Sequence, residues 1–460
     1  MAYQDRGYVN QVGYDDYPMR HAVHSTSSYG GPYPSTHDPF SSQVSLHGPD
    51  AGYEAGEGYS AVARDKSNPY SQGYKGGNAA AGNKRPCVID RGLTERSASS
   101  AIVVGIVAWR VVASKNDSGS SSGSGKSSGN LQYIDGTAKV VKSNPSDPSD
   151  FEKDSRLKPS FYGMAYTPFN ALEPSCGATL ANVTEDIQLL SQMTTRLRTY
   201  GSACNQSELV LDAIARTKTN VTVFLGAYVG DNSTVNAQQQ QWILDALDKF
   251  GVDHVGGITI GNEYVLNANA ASTSDATTRI QYLGEQISAF KTTLAAKNYG
   301  KTIPVGSADA GSVFTSTYAQ ELEILFANVH PWFGGVPIDQ AAGWTWDYFQ
   351  NNDVSVAESV SNGPTPYIAE TGWPTASMTP EKATYEGAVS GVPELQTFLD
   401  TYVCQANKNE TYYFYFEPFD EPWKEQYGGV EPYWGLFDHN RILKNITIPD
   451  CEVDSTKASG

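Results

Sequence analysis

Two rhythms of apolar positions alternate along the chain after about residue 160. Short runs rich in β-branched and aromatic residues read as buried strands. They occur at FYGMAYTP (161–168), TTRLRTYG (194–201), VTVFLGAYV (221–229), VGGITIGNE (255–263), IPVGSADAG (303–311), NVHPWF (328–333), PYIAETGW (366–373) and TYYFYFEPF (411–419). Between them the apolar spacing turns helical. Val183, Ile187, Leu190 and Met193 fall on one face, as do Ile243, Leu247 and Phe250, and again Leu395, Phe398, Leu399, Tyr402 and Val403. Eight strands, each followed by a helix or a long loop, predict an α/β chain folded as a (β/α)8 TIM barrel over 159–460. An open doubly wound sheet is the alternative, but no Gly-rich phosphate loop follows the first strand.

Upstream, no period survives for more than a few residues. Segments such as SSYGGPYPSTHDPFSS are rich in Tyr, Gly, Ser, Pro and His, and residues 1–97 are expected to be a disordered tail. The run at 98–114 is almost wholly apolar and lies too far from the start for an ordinary signal peptide. It is shorter than the roughly 20 residues that span hydrocarbon, and Arg110 sits inside it, near enough to one end to snorkel. Lys84, Arg85, Arg91 and Arg96 precede it and would hold the N-terminus cytoplasmic. The expectation is a signal-anchor followed by a flexible Ser/Gly/Pro linker over 115–158. The barrel domain would then face outward as part of a single-pass type II membrane protein, or be secreted after shedding.

Composition narrows the function. With 32 Lys+Arg against 50 Asp+Glu the net charge is −18, which excludes the basic surface that nucleic acid requires. An uncharged ligand is compatible with it. Of five cysteines, Cys176, Cys204, Cys404 and Cys451 fall in the large domain without metal-ligand spacing. Two disulfides are expected; three pairings are open to the sequence, and Cys176–Cys204 with Cys404–Cys451 is the one in which each pair lies at one end of the domain. Six glycosylation sequons, at Asn182, Asn205, Asn220, Asn232, Asn409 and Asn445, also point to secretory passage.

Reactive groups of such a barrel gather at the C-terminal ends of the strands. Counting strands puts Glu263 at the end of the fourth and Glu370 at the end of the seventh. Tyr200, Tyr228, Asp309, His330, Trp332, Trp373, Glu417, Asp420, Glu421 and Trp423 are expected on the same rim. A single Glu at a strand end is usually a cap or half of an ion pair. Two on opposed strands, among aromatic rings that suit the apolar faces of sugars, are what cleavage of a glycosidic bond requires. Packing is the competing reading for each ring, and a satisfied core position the competing reading for His330.

GNE at 261–263, ETGWP at 370–374, TRLRTYG at 195–201 and FEPFDEPWK at 416–424 together resemble glycoside hydrolase family 17, the β-1,3-glucanase family, over residues 160–451. The resemblance implies an endo-acting, retaining hydrolase of cell-wall β-1,3-glucan that needs no metal or organic cofactor. Glu263 would be the proton donor and base and Glu370 the nucleophile. Asn262 would contact the sugar 2-hydroxyl or orient the nucleophile, and Glu417 and Glu421 would support the site. Tyr200, Tyr228, His330, Trp332, Trp373 and Trp423 complete the expected substrate-binding set. A monomer is expected, with the glucan as partner and the membrane reached only through the anchor. Two alternatives use the same chain differently: a transglycosylase that passes the glucosyl unit to a second glucan chain, and a non-catalytic glucan-binding wall protein.

Overall fold

The computed structural model describes residues 146–268 and 273–453, with two short paired strands at Gln132–Tyr133 and Val140–Val141. The expected tail (1–97), apolar segment (98–114) and most of the linker lie outside the described residues. No described helix is long and apolar enough to cross a membrane.

Eight parallel strands close on themselves. They are β1 (Gly163–Ala165), β2 (Arg196–Arg198), β3 (Thr222–Ala227), β4 (Val255–Asn262), β5 (Val305–Ala310), β6 (Ile324–Asn328), β7 (Thr365–Thr371) and β8 (Tyr413–Tyr415). Each pairs with its sequence neighbour, and β8 pairs with both β7 and β1. Strands covered on both faces read as unbroken apolar runs, which is why Val223–Leu225 and Ile324–Ala327 show no polar alternation. Rings fill the interior: Phe326 lies 5.4 Å from Phe224, 4.7 Å from Tyr367 and 5.5 Å from Phe414, centroid to centroid.

The outer layer includes α1 (Leu180–Leu190), α2 (Gln206–Thr217), α3 (Ser233–Phe250), α4 (Thr273–Lys297), α5 (Ile338–Tyr348) and α6 (Val392–Phe398). Their apolar faces are the ones the spacing predicts, with Val183, Ile187, Ile243, Leu247, Leu395 and Phe398 all buried. Thr179 caps α1 and Asn232 caps α3, each accepting backbone N–H groups that the first helical turn leaves over. Disulfides join Cys176 to Cys204 and Cys404 to Cys451.

Two boundaries differ from the sequence expectation. The sixth strand is Ile324–Asn328 rather than 328–333. The aliphatic run begins four residues earlier, and Pro331 has no N–H to give a ladder. The linker expected to last until residue 158 also ends sooner. Gln188 donates to the Pro148 carbonyl at 2.8 Å, Asp154 N–H donates to Gln192 Oε1 at 2.7 Å, and Leu157 is buried. A single apolar side chain among polar neighbours gives too short a period to register as a packed segment.

One buried acid serves no visible bond. Asp353, in the π-helical turn Phe349–Val354 after α5, is enclosed with neither carboxyl oxygen hydrogen-bonded among the described residues. Burial pushes its carboxyl well above the usual carboxylate range. It therefore takes up a proton on folding where the pH lies between its unfolded and native pKa, so its contribution makes stability fall as pH rises from about 4 toward the native pKa. Asp353→Asn removes that proton uptake. It is expected to raise stability at pH 7 by about 1–3 kcal/mol, with the gain vanishing near pH 4, read as melting temperature across pH.

Candidate active site

Glu370, on β7, is fully buried, and a carboxylate there needs partners. Arg198 at the end of β2 supplies one, with Nη1 3.2 Å from Glu370 Oε1. His330 Nε2 lies 3.1 Å from the other oxygen, Oε2. The same guanidinium donates to the Ala369 carbonyl at 3.0 Å and, through Nη2, to Asn262 Oδ1 at 2.8 Å. It stacks 4.4 Å from the centroid of Tyr200, whose phenol is kept protonated by burial and by the Glu370 charge. Arg198 thus ties one oxygen of the nucleophile candidate to the Ala369 carbonyl and to Asn262 through a single rigid planar group.

Glu263 follows β4 and is 2% exposed. Gly261, at φ 92°, takes a conformation that side chains resist, and Glu263 itself sits at φ 55°. A left-handed non-glycine residue must be held in place by its surroundings. Asp309, on β5, does the holding. Its Oδ2 accepts Val265 N–H at 2.9 Å, and Oδ1 accepts Leu266 N–H at 3.2 Å and Ala310 N–H at 3.0 Å. Burial, opposed by these backbone bonds and reinforced by the Glu263 charge, pushes the Asp309 carboxyl up to about 8.

Asn328 ties the two glutamates together. Its backbone pairs beside Glu370 in the sheet, and its Nδ2 donates to Glu263 Oε1 at 2.9 Å. Its Oδ1 faces Arg198 Nη1 at 3.4 Å. One network therefore runs Glu263, Asn328, Arg198, Glu370, His330, with the Asn328 and Arg198 side chains between the two acids.

Beyond Glu370, buried Lys424 sits between Glu417 (2.8 and 3.0 Å) and Glu421 (2.8 Å). Burial and the Glu421 charge lift Glu417 well above its usual range, and the carboxylates outweigh burial to raise Lys424. Their role is to brace the rim next to Tyr200, on which the Glu417 charge also acts.

The expected rings separate into two groups. Tyr200, Tyr228 and Trp423 are half-buried at the strand ends. Trp332 and Trp373 do not join them. They meet edge to face at 5.8 Å in the core, and the Trp373 N–H donates to the Val389 carbonyl at 2.9 Å, so both pack beneath the rim and offer no open face to a sugar. His330 is ringed edge-on by Phe333, Phe416 and Trp434 and turned onto Glu370. Of the sequon asparagines, Asn205, Asn220, Asn232 and Asn445 are exposed and Asn182 and Asn409 half-buried.

Sequence reading passed over Arg198, Asn328 and Lys424. Arg198 left a signal: Arg-Leu-Arg in a barrel strand sends two guanidiniums to one side of the sheet, where each needs a partner. Asn328 left none, because the sixth strand was placed too late for it to be a strand end.

Similar proteins share this arrangement of elements. A probable glucan endo-1,3-beta-glucosidase of Aspergillus fumigatus is 37% identical over 317 residues, covering 65% of this chain and 44% of that protein. A glucan endo-1,3-beta-glucosidase of Emericella nidulans is 36% identical over 308 residues, covering 63% and 46%. The chain thus spans less than half the length of either relative. Among solved structures, a glycoside hydrolase family 17 beta-1,3-glucanosyltransferase from Rhizomucor miehei superposes with a TM-score of 0.53 at 27% identity, over 63% of this chain and 98% of that one. An active-site mutant of the Rhizomucor protein, in complex with laminaritriose, gives 0.52. The model of the BtgE/BtgC glycoside hydrolase domain matches residues 163–435, more than half of the chain, and the chain belongs to that family.

Proposed function

We propose that this domain cleaves 1,3-β-glucosidic linkages within β-glucan by a retaining double displacement. The observation that carries the reading is the single network joining Glu263 and Glu370 through Asn328 and Arg198. Glu370, ionised against Arg198 and His330, attacks the anomeric carbon and forms a covalent glucosyl ester as the C–O bond to the leaving chain breaks. Glu263 gives its proton to the departing oxygen. Asn328 N–H points at Oε1, so the proton resides on Oε2. Water then enters, Glu263 takes its proton, and the ester opens at the same carbon. Asn262 has its carbonyl oxygen engaged by Arg198, which leaves its NH2 for the sugar 2-hydroxyl, a bond that strengthens in the transition state. Incubation with a defined β-1,3-glucooligosaccharide, followed by NMR of the first product, tests this. The β-anomer is expected, and an α-anomer appearing first rules the mechanism out.

A second reading is favoured by the 27% identity to a glucanosyltransferase. If another glucan chain reaches the glucosyl ester before water, products grow longer than the starting oligosaccharide. Mass spectrometry of the same digest separates the two outcomes.

Asp309 sets how well Glu263 is aimed. Asp309→Ala removes both carboxyl oxygens, and with them the bonds to Val265 and Leu266 N–H that hold the turn carrying Glu263. It is expected to lower kcat roughly 10- to 100-fold with a smaller change in KM, since a small misplacement of a catalytic group acts on the chemical step. Steady-state kinetics on soluble β-1,3-glucan measure it.

Four exposed sequon asparagines and two disulfides favour a domain that passes through the secretory route. Together with the apolar run at 98–114, they support a type II membrane protein with the barrel facing the wall, or its shed form. Fractionation before and after deletion of 98–114 tests it: loss of the membrane-bound pool is expected.

A further inference from the structure

A cavity of about 540 Å³ opens between the loop after β1 and the segment after β8, the segment that carries Glu421 and Lys424. Phe169 and Glu173 lie on one wall and Phe419, Glu421 and Trp423 on the other, with Asp186 and Arg441 also lining it. Its size falls among pockets that enclose whole small-molecule ligands rather than one small group.

The cations in and around it are already paired. Arg441 Nε lies 2.5 Å from Asp186 Oδ1, whose Oδ2 accepts the Tyr166 hydroxyl at 2.7 Å. Lys444 Nζ is 2.6 Å from Asp420, and Glu421 shares Lys424 with Glu417. An anionic ligand therefore meets no surplus cation, and the lining carries more carboxylates than cations. What remains for recognition is a set of fixed hydrogen-bonding groups and aromatic surface. Phe169 is the most exposed large apolar side chain among the described residues, at 52%. It is held on a constrained loop. Ala171 N–H bonds Pro168 O at 3.1 Å, Gly177 N–H bonds Asn170 O at 2.8 Å, and the Cys176–Cys204 disulfide ties the loop to the start of α2. An exposed ring on a preorganised wall, opposite a half-buried Trp423, matches the apolar faces of pyranose rings.

We infer that this cavity is a remote subsite for an uncharged oligosaccharide, holding sugar units of the glucan chain away from the bond being cleaved, with Phe169 as its stacking platform. The inference rests on the glucan-cleaving reading above and adds that chain-length preference is set here. Glu421 connects the two regions, since it lines the cavity and shares Lys424 with Glu417 beside the catalytic floor.

The test compares the full chain with Phe169→Ala, using Met378→Ala, another exposed apolar side chain, as control. Cleavage of a β-1,3-glucan trimer and of longer oligomers is measured for each. Phe169→Ala is expected to raise KM at least fivefold on the longer oligomers, to leave kcat unchanged, and to change the trimer less than twofold. The Met378 variant should match wild type. Equal loss on every length, or no loss on the long oligomers, overturns the subsite. If wild type cleaves no β-1,3-glucan, the cleavage reading has failed, and calorimetric binding of a long neutral oligomer decides the cavity separately. Weaker binding to Phe169→Ala then supports the subsite, and equal binding overturns it. A uronic-acid oligomer that competes as well as the neutral one overturns the ligand class.

Discussion

Glu370→Gln is expected to lower kcat on β-1,3-glucan by on the order of 10⁴- to 10⁶-fold, a barrier increase of about 5.5–8 kcal/mol. The amide keeps the shape of the side chain and an oxygen for Arg198 Nη1, but it cannot form the glucosyl ester. Substrate binding should persist, because Asn262 and the rim aromatics are untouched. The substitution also removes the anion that matches a buried guanidinium. Arg198 retains the Ala369 carbonyl and Asn262 Oδ1, so the loss of stability should stay below the roughly 3–5 kcal/mol typical of a broken buried pair. Activity and melting temperature measured together separate the two effects. A variant that is folded, binds glucan and still turns over at a tenth of the wild-type rate excludes Glu370 as nucleophile.

Most of the barrel was legible because its signals are local. Strands buried on both faces announce themselves as aliphatic runs, and the helices between them repeat every three or four residues. Glu263 and Glu370 stood out because each breaks such a run at its C-terminal end, where a charge has no packing reason to be. The sixth strand was misplaced because HPWF is as aromatic as a strand while lacking the N–H at Pro331, and with it went Asn328, the residue that bridges the two acids. Trp332 and Trp373, expected on the rim with packing as the competing reading, lie buried for a related reason. Position after a strand suggests the rim for each Trp, but only three-dimensional packing reveals that these two meet edge to face and that Trp373 also packs against Phe398. The bracing triad of Glu417, Lys424 and Glu421 was half visible: the acids drew notice, while the lysine that makes their burial tolerable was given no role.

Glu263→Gln should give a different kinetic signature from Glu370→Gln, and that difference identifies the two roles. Asn328 Nδ2 can still donate to the amide oxygen, so the turn held by Asp309 has no reason to move. With the Glu263 charge gone, one of the influences that lift the Asp309 carboxyl disappears, and that group should titrate below about 8 in the variant. A lost general acid corresponds to a roughly 10²- to 10⁴-fold fall in kcat/KM on glucan, whose leaving hydroxyl needs a proton. An aryl glucoside with a good leaving group needs none. On that substrate the first step should remain near wild type while the second, which needs Glu263 as base, becomes limiting, so a burst of phenol equal to the enzyme present should precede slow turnover. Azide, which attacks without giving up a proton, should then accelerate turnover and yield the β-glucosyl azide. Azide would do nothing for Glu370→Gln, because no ester forms for it to intercept. Rescue of the wrong variant, or an α-azide, would require the assignments of Glu263 and Glu370 to be exchanged or dropped.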